Sequence, residues 1–256
     1  MRNKRYLALF AGVLLLAYSC KKSKETEPTD DGVTEELLFH VHHMVSDKPL
    51  NFSSVFKTIS GQKYTVSMLR YYLSNIRLVK TDGAEVPVTG KYLLVTPGIA
   101  DYSIGQVPVG DYKGIKFSVG IDSLANHSDP TAYPAGHPLA VQTPAMHWSW
   151  NAGYIFTMIE GSCDTTLNGT DTLKFGQFSH GMFFHIGMDK LYRTVELNSS
   201  FSITTTGSNT LVLQTDLNKF FVNIDLKNEN GTHTMDAMPL AIKGANNTPS
   251  MFSIAQ

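Results

Sequence analysis

Leu37-Leu38-Phe39-His40-Val41-His42-His43-Met44-Val45 sets Leu37, Phe39, Val41 and His43 on one side of an extended chain, with Leu38, His40 and His42 on the other. Successive side chains of a strand point to opposite faces, so this period of two is the signature of a half-buried β-strand. Ile115, Phe117, Val119 and Ile121 alternate in the same way with Lys116, Ser118 and Gly120. A weaker alternation sets Leu191, Arg193, Val195 and Leu197 against Tyr192, Thr194 and Glu196. Asp82-Gly83 falls between apolar runs at 76–80 and 86–88, a hairpin signal. Gly110-Asp111, Asn168-Gly169, Gly207-Ser208 and Asn230-Gly231 punctuate later segments. Residues 65–72 and 216–221 suit either a short helix or a strand. Many short strands without an internal repeat predict an all-β fold, a single β-sandwich with few short helices.

One segment breaks the pattern. Residues 122–147, DSLANHSDPTAYPAGHPLAVQTPAMH, contain four prolines and little periodicity. Loops of this length inside a compact domain are functional or disordered. This one ends on Trp148-Ser149-Trp150, the chain's only tryptophans, whose bulk is expected to pin it as an ordered loop.

The N-terminus reads differently again. Arg2, Lys4 and Arg5 precede an uncharged apolar stretch, 6–17, with the length of a signal-peptide core. Leu16-Ala17-Tyr18-Ser19-Cys20 resembles the lipobox of bacterial lipoproteins, which implies cleavage before Cys20 and acylation of its thiol. Two or more acyl chains anchor stably, since each buried methylene contributes about 0.8 kcal/mol. Residues 21–36 carry almost nothing apolar and read as a disordered tether. The expected organisation is therefore a signal peptide at 1–19, a lipidated Cys20 with tether at 20–36, and a folded domain at 37–256. The expected location is the cell envelope, membrane-anchored, on either the periplasmic or the outer surface.

The net charge of −1 gives no basic field for nucleic acid, and the 42% hydrophobic content supplies a substantial core. With Cys20 lipidated, Cys163 is left as the second of two cysteines, so the fold is neither disulfide-stapled nor a zinc–cysteine fold. No Gly-x-Ser-x-Gly elbow, phosphate loop or dinucleotide fingerprint occurs, and the scattered carboxylates define no catalytic pair, so no enzyme activity is expected.

Histidine is the residue type with chemistry to offer. The nine are His40, His42 and His43 on the first strand, His127, His137 and His147 in the long segment, His180 and His185 around Phe183-Phe184, and His233. Imidazole suits copper, zinc and nickel, and a nearby thioether from Met146, Met182 or Met188 would favour copper(I). His43 and His185 sit in apolar runs, where an unpaired imidazole is costly.

Leu69-Arg70-Tyr71-Tyr72-Leu73-Ser74-Asn75-Ile76-Arg77-Leu78 resembles a hallmark of the MbnP-like copper-binding proteins, the methanobactin-associated periplasmic family. Asn126-His127-Ser128-Asp129-Pro130 does too, as does Met146-His147-Trp148-Ser149-Trp150-Asn151-Ala152-Gly153-Tyr154 leading to Glu160-Gly161. Phe184-His185-Ile186-Gly187, with Arg193-Thr194-Val195 after it, is similar to the family's later signature. The match runs in order from about His43 to Phe252. The resemblance implies a β-sandwich that binds one copper ion in the cell envelope and performs no reaction itself. It implies His127 and His185 as metal ligands, with His43 matching a histidine of the lipoprotein branch. It further implies Trp148 or Trp150 as a residue that a partner dihaem peroxidase-like enzyme oxidises to kynurenine. The expectation is thus a lipoprotein that binds copper for handling or delivery. The rival is a non-metal module recognising a glycan or protein through a Trp148/Trp150 face.

Overall fold

The computed structural model describes residues 32–149, 152–166, 169 and 180–255. Cys20, the segment 1–31 and Trp150 lie outside the described residues. The principal elements in chain order are β1 (Thr34–Val45), β2 (Lys63–Lys80), β3 (Asp101–Pro108), β4 (Gly110–Val119), α1 (Ser123–Asn126), β5 (His147–Ser149), β6 (Gly153–Cys163), β7 (Gly181–Gly187), β8 (Arg193–Leu197), β9 (Asn209–Asp216), α2 (Met238–Asn247) and β10 (Phe252–Ile254).

They form an all-β sandwich. Sheet I runs β10–β9–β1, with β3 on the other edge of β1. Sheet II is larger and runs β8–β4–β2–β6–β7, extended by Gly231–Thr232 and by short strands at Phe56–Lys57, Glu85–Pro87, Tyr92–Val95 and Phe201–Ile203. The alternation read in β1 places Leu37, Phe39 and Val41 in the core, at 4% exposure or less. Ile115, Phe117, Val119 and Ile121 are buried likewise. The Asp82-Gly83 hairpin joins β2 to Glu85–Pro87, with Gly83 at φ +96°.

Two differences from the sequence pattern have physical reasons. Strand β1 takes up Thr34–Glu36, read above as tether, because their backbone pairs with Gln106, Val107 and Pro108 of β3 and the ladder needs no apolar side chain. Residues 65–72 belong to the long strand β2, which hides the alternation because both its faces are covered. Tyr71 joins the cluster between the sheets and Tyr72 a second cluster on the outer side of sheet II. At 216–221 the chain makes a 3₁₀ turn, Leu217–Lys219, capped by Asp216, whose carboxylate accepts from Asn218 N.

The second cluster is what residues 122–147 cover. Ile121, Ala125, Leu139 and Met146 pack there against Tyr72, Tyr154, Phe156 and Met158. The segment is also tied by hydrogen bonds. Tyr154 Oη donates to Leu139 O at 2.6 Å and Tyr72 Oη to Pro138 O at 3.0 Å. Arg70 donates to Pro144 O at 2.8 Å and Gln142 Oε1 at 3.2 Å. The long loop is therefore ordered. Among the described residues no helix is long and apolar enough to cross a membrane.

Candidate metal centre

The outer face of sheet II carries most of the chemistry. Asp122 caps α1 by accepting from Ala125 N, and the next turn presents Asn126 and His127. Asn126 is fully buried and works in two directions: its Oδ1 accepts from Tyr154 N at 2.8 Å and its Nδ2 donates to Asp189 Oδ1 at 2.7 Å. The other Asp189 oxygen accepts from Ser123 Oγ and from His127 Nε2, the latter at 3.2 Å. Burial by itself would raise the Asp189 carboxyl, but the donors Ser123, Asn126 and His127 outweigh it and hold it below the usual carboxylate range. Gly153 makes this junction possible. It has φ +72°, and a Cβ there would run into Asn126 Oδ1.

Asp189 and His185 lie two residues to either side of Gly187, and Trp148 packs on Gly187. A Cβ at Gly187 would fall 2.6 Å from Trp148 Cζ3 and collide with Tyr154 O. The indole is half-buried against the second cluster, so Trp148 fills space as the sequence reading expected of the loop's end. His147, its neighbour on β5, is paired with Tyr154 of β6, the ring centres 4.8 Å apart. Its Nε2 is buried with no hydrogen-bond partner among the described residues, and burial lowers its pKa against the pull of Asp129.

His185 is the best-sheltered imidazole of this face. Its neighbours Phe184 and Ile186 point into the main core, so His185 projects outward, across from Met158. Its side chain is 13% exposed and its Nε2 lies 2.8 Å from Glu160 Oε1. Burial lowers its pKa, and Glu160 only partly opposes this, so the ring is neutral at ordinary pH. His233 stands beside it with ring centres 5.0 Å apart and planes at 81°. Its own Nδ1 meets Asp236 Oδ2 at 3.0 Å, and Phe183 flanks both rings.

This donor set fits a transition ion. A carboxylate only accepts, so in the neutral tautomers the proton faces the carboxylate at His185 Nε2 and His233 Nδ1, and the lone pairs are at His185 Nδ1 and His233 Nε2. Carboxylates behind imidazoles are the usual support for metal-binding rings. Two imidazoles sharing one ion at bonds of about 2.0–2.1 Å would have ring centres roughly 4.5–5.2 Å apart.

His43 is elsewhere. Its Nε2 lies 3.2 Å from Tyr71 Oη, which also reaches Thr215 Oγ1 at 2.9 Å. Tyr71 belongs to the inner face of sheet II, so the sheet itself separates His43 from His185. Burial, with a smaller contribution from His42, lowers the His43 pKa to about 4. Among the described residues no group of three or more His, Cys, Asp or Glu side chains forms a ready metal cage. The structure thus brings His185 together with His233, Glu160 and Asp236, puts His127 on Asp189 beyond Trp148, and sets His43 apart. In the sequence Glu160 stands out only within a family motif and His233 only as a lone late histidine, and no local pattern marks Asp236. The tilted Phe183–His233 stack, with ring centres 4.4 Å apart, joins residues 50 positions apart, and no local pattern announces it.

A family model described as MbnP matches residues 34–236. The fold is similar to that of MbnP from Methylosinus trichosporium, with a TM-score of 0.61 and 18% sequence identity, covering 87% of this chain and 99% of that one. Among curated proteins no sequence matches. The chain belongs to the MbnP family.

Proposed function

We propose that this MbnP-family protein binds a transition metal ion as cargo, with copper the best-suited ion, and that His185 and His233 are its imidazole ligands. The observation carrying this reading is the half-buried, neutral His185 ring, with Glu160 behind it and a second imidazole 5.0 Å away. Imidazole nitrogens favour copper and zinc over hard cations. Glu160 and Asp236 would fix the ring tautomers. His127, tied to Asp189 two residues beyond Gly187, is a further candidate donor on the same face. In this reading the protein handles or delivers metal and catalyses no reaction, and acyl groups on Cys20 hold it in the cell envelope. Trp148 or Trp150 stays the proposed target of a dihaem partner enzyme.

The glycan-platform reading has less support, because the Trp148 ring is committed to Gly187 and the second cluster. The deciding experiment is copper titration of the purified protein and of its His185→Ala, His233→Ala and His127→Ala variants. Loss of one bound ion in His185→Ala and His233→Ala is expected. Unchanged stoichiometry and affinity in both would end the proposal.

A further inference from the structure

His40 and His42 lie two residues apart on β1, on the face of sheet I turned away from the core that Phe39 and Val41 enter. Their ring centres are 4.8 Å apart and their planes cross at 78°. Directly across from His40 in the antiparallel register is Asp101, the first residue of β3. His40 Nδ1 lies 2.6 Å from Asp101 Oδ1. Since a carboxylate only accepts, the ring proton is at Nδ1 and the lone pair of the neutral His40 ring is at Nε2. That is the carboxylate–imidazole arrangement that orients metal-binding histidines and raises their basicity.

The spacing points the same way. It lies inside the range of roughly 4.5–5.2 Å expected for two imidazoles on one ion with bonds of about 2.0–2.1 Å. The backbone beneath the pair is fixed on both sides. β1 pairs with β9 from Leu37–Asn209 to Met44–Asp216, and β3 pairs with β1 up to His40–Asp101. Little order has to be imposed on the chain when an ion arrives. His42 is exposed and the His40 side chain is 34% exposed, so solvent reaches both rings.

We propose that His40 and His42 form a two-imidazole chelate for a divalent ion of the copper–zinc class, with Asp101 orienting His40. This site shares no residue with the one on sheet II. Two protein donors leave the remaining coordination positions to water or to a donor from another molecule, so the ion exchanges from the outside.

The test titrates Cu²⁺ alone, and separately Zn²⁺ alone, into the purified full-length protein and follows heat and stoichiometry. The variants are His40→Gln, His42→Gln, the double variant, Asp101→Asn and His185→Gln, each checked for an unchanged melting temperature without metal. The double variant is expected to bind one ion fewer than the parent, and each single variant to bind that ion at least tenfold more weakly. Asp101→Asn should keep the stoichiometry and weaken that ion about 10–100-fold. His185→Gln should leave this class of site intact. A double variant with the parent's stoichiometry and affinities overturns the proposal. If His185→Gln changes nothing while the double variant loses an ion, the sheet II reading falls and this one stands.

Discussion

The two imidazole pairs are nearly the same object in different solvents. Ring centres are 5.0 Å apart in His185/His233 and 4.8 Å apart in His40/His42, and in each pair a carboxylate sits on a ring nitrogen. The His185 side chain is 13% exposed, whereas that of His40 is 34% exposed. Burial makes the neutral form of His185 the favoured one, so protons compete less with a metal there. The difference teaches that similar ring spacing arises whether one strand supplies both imidazoles, as for His40 and His42, or a strand and a loop supply one each. The packing around a ring sets which protonation form it favours.

The strongest way to break this comparison is to remove the sheltered ring. His185→Ala is expected to weaken copper binding at the sheet II site by more than about 100-fold, about 3 kcal/mol at 1.36 kcal/mol per decade. Equal losses from His185→Ala and His42→Ala, measured by competition with a copper chelator, would show that shelter contributes nothing.

Acid sharpens the comparison, because His43 is the extreme case of shelter. Its pKa of about 4 lies below the ordinary 6.5, so the unfolded chain binds more protons than the folded one between those values. Stability is full above pH 6.5 and falls as the pH drops toward 4, by about 3 kcal/mol at most. His185 acts in the same direction. Urea unfolding of metal-free protein at pH 7, 5.5 and 4.5 measures this. His43→Gln should flatten the profile, and an unchanged slope would refute the assignment.

Glu160→Gln is the next step down. It keeps the shape of the side chain but removes the charge behind His185, and should weaken copper about 10–100-fold without losing the site. The smallest effect belongs to Cys163. It is fully buried, its Sγ contacts Leu226 O at 3.3 Å, and burial, aided by Asp164, pushes its thiol up to about 11. Neither a reductant nor a thiol-alkylating reagent should move the melting temperature or the copper affinity of either pair. A loss of bound copper on alkylation of the native protein would count against that.

Much of the sandwich was legible because one-sided strands announce themselves. β1 alternates in burial from Leu37 to His42, and β4 alternates in sequence from Ile115 to Val119 although Ser118 is buried too. β2 did not, since Tyr71 and Tyr72 are both buried, on opposite sides. α2 escaped for a different reason. Its ten residues, MPLAIKGANN, have no side-chain cap, and the helix owes its place to Leu240, Ala241 and Ala245 entering the main core. At the candidate site, His185 was visible as an imidazole in an apolar run. Its partners were not, because Glu160 and His233 come to it through strand register and a late loop. His40 and His42 could be read as sharing a face, but Asp101 is 61 positions from His40 and enters only through β3.

Strand β2 has one more implication. It is a wall shared by two hydrophobic interiors, with Leu69, Tyr71 and Leu73 on one side and Tyr72 on the other. Losing β2 would open both interiors at once, so we expect the loop at 122–147 to unfold with the sandwich rather than before it. Calorimetry is expected to give one transition, and the central amides of β2 to be among the slowest to exchange; a separate early transition would show that the loop opens by itself.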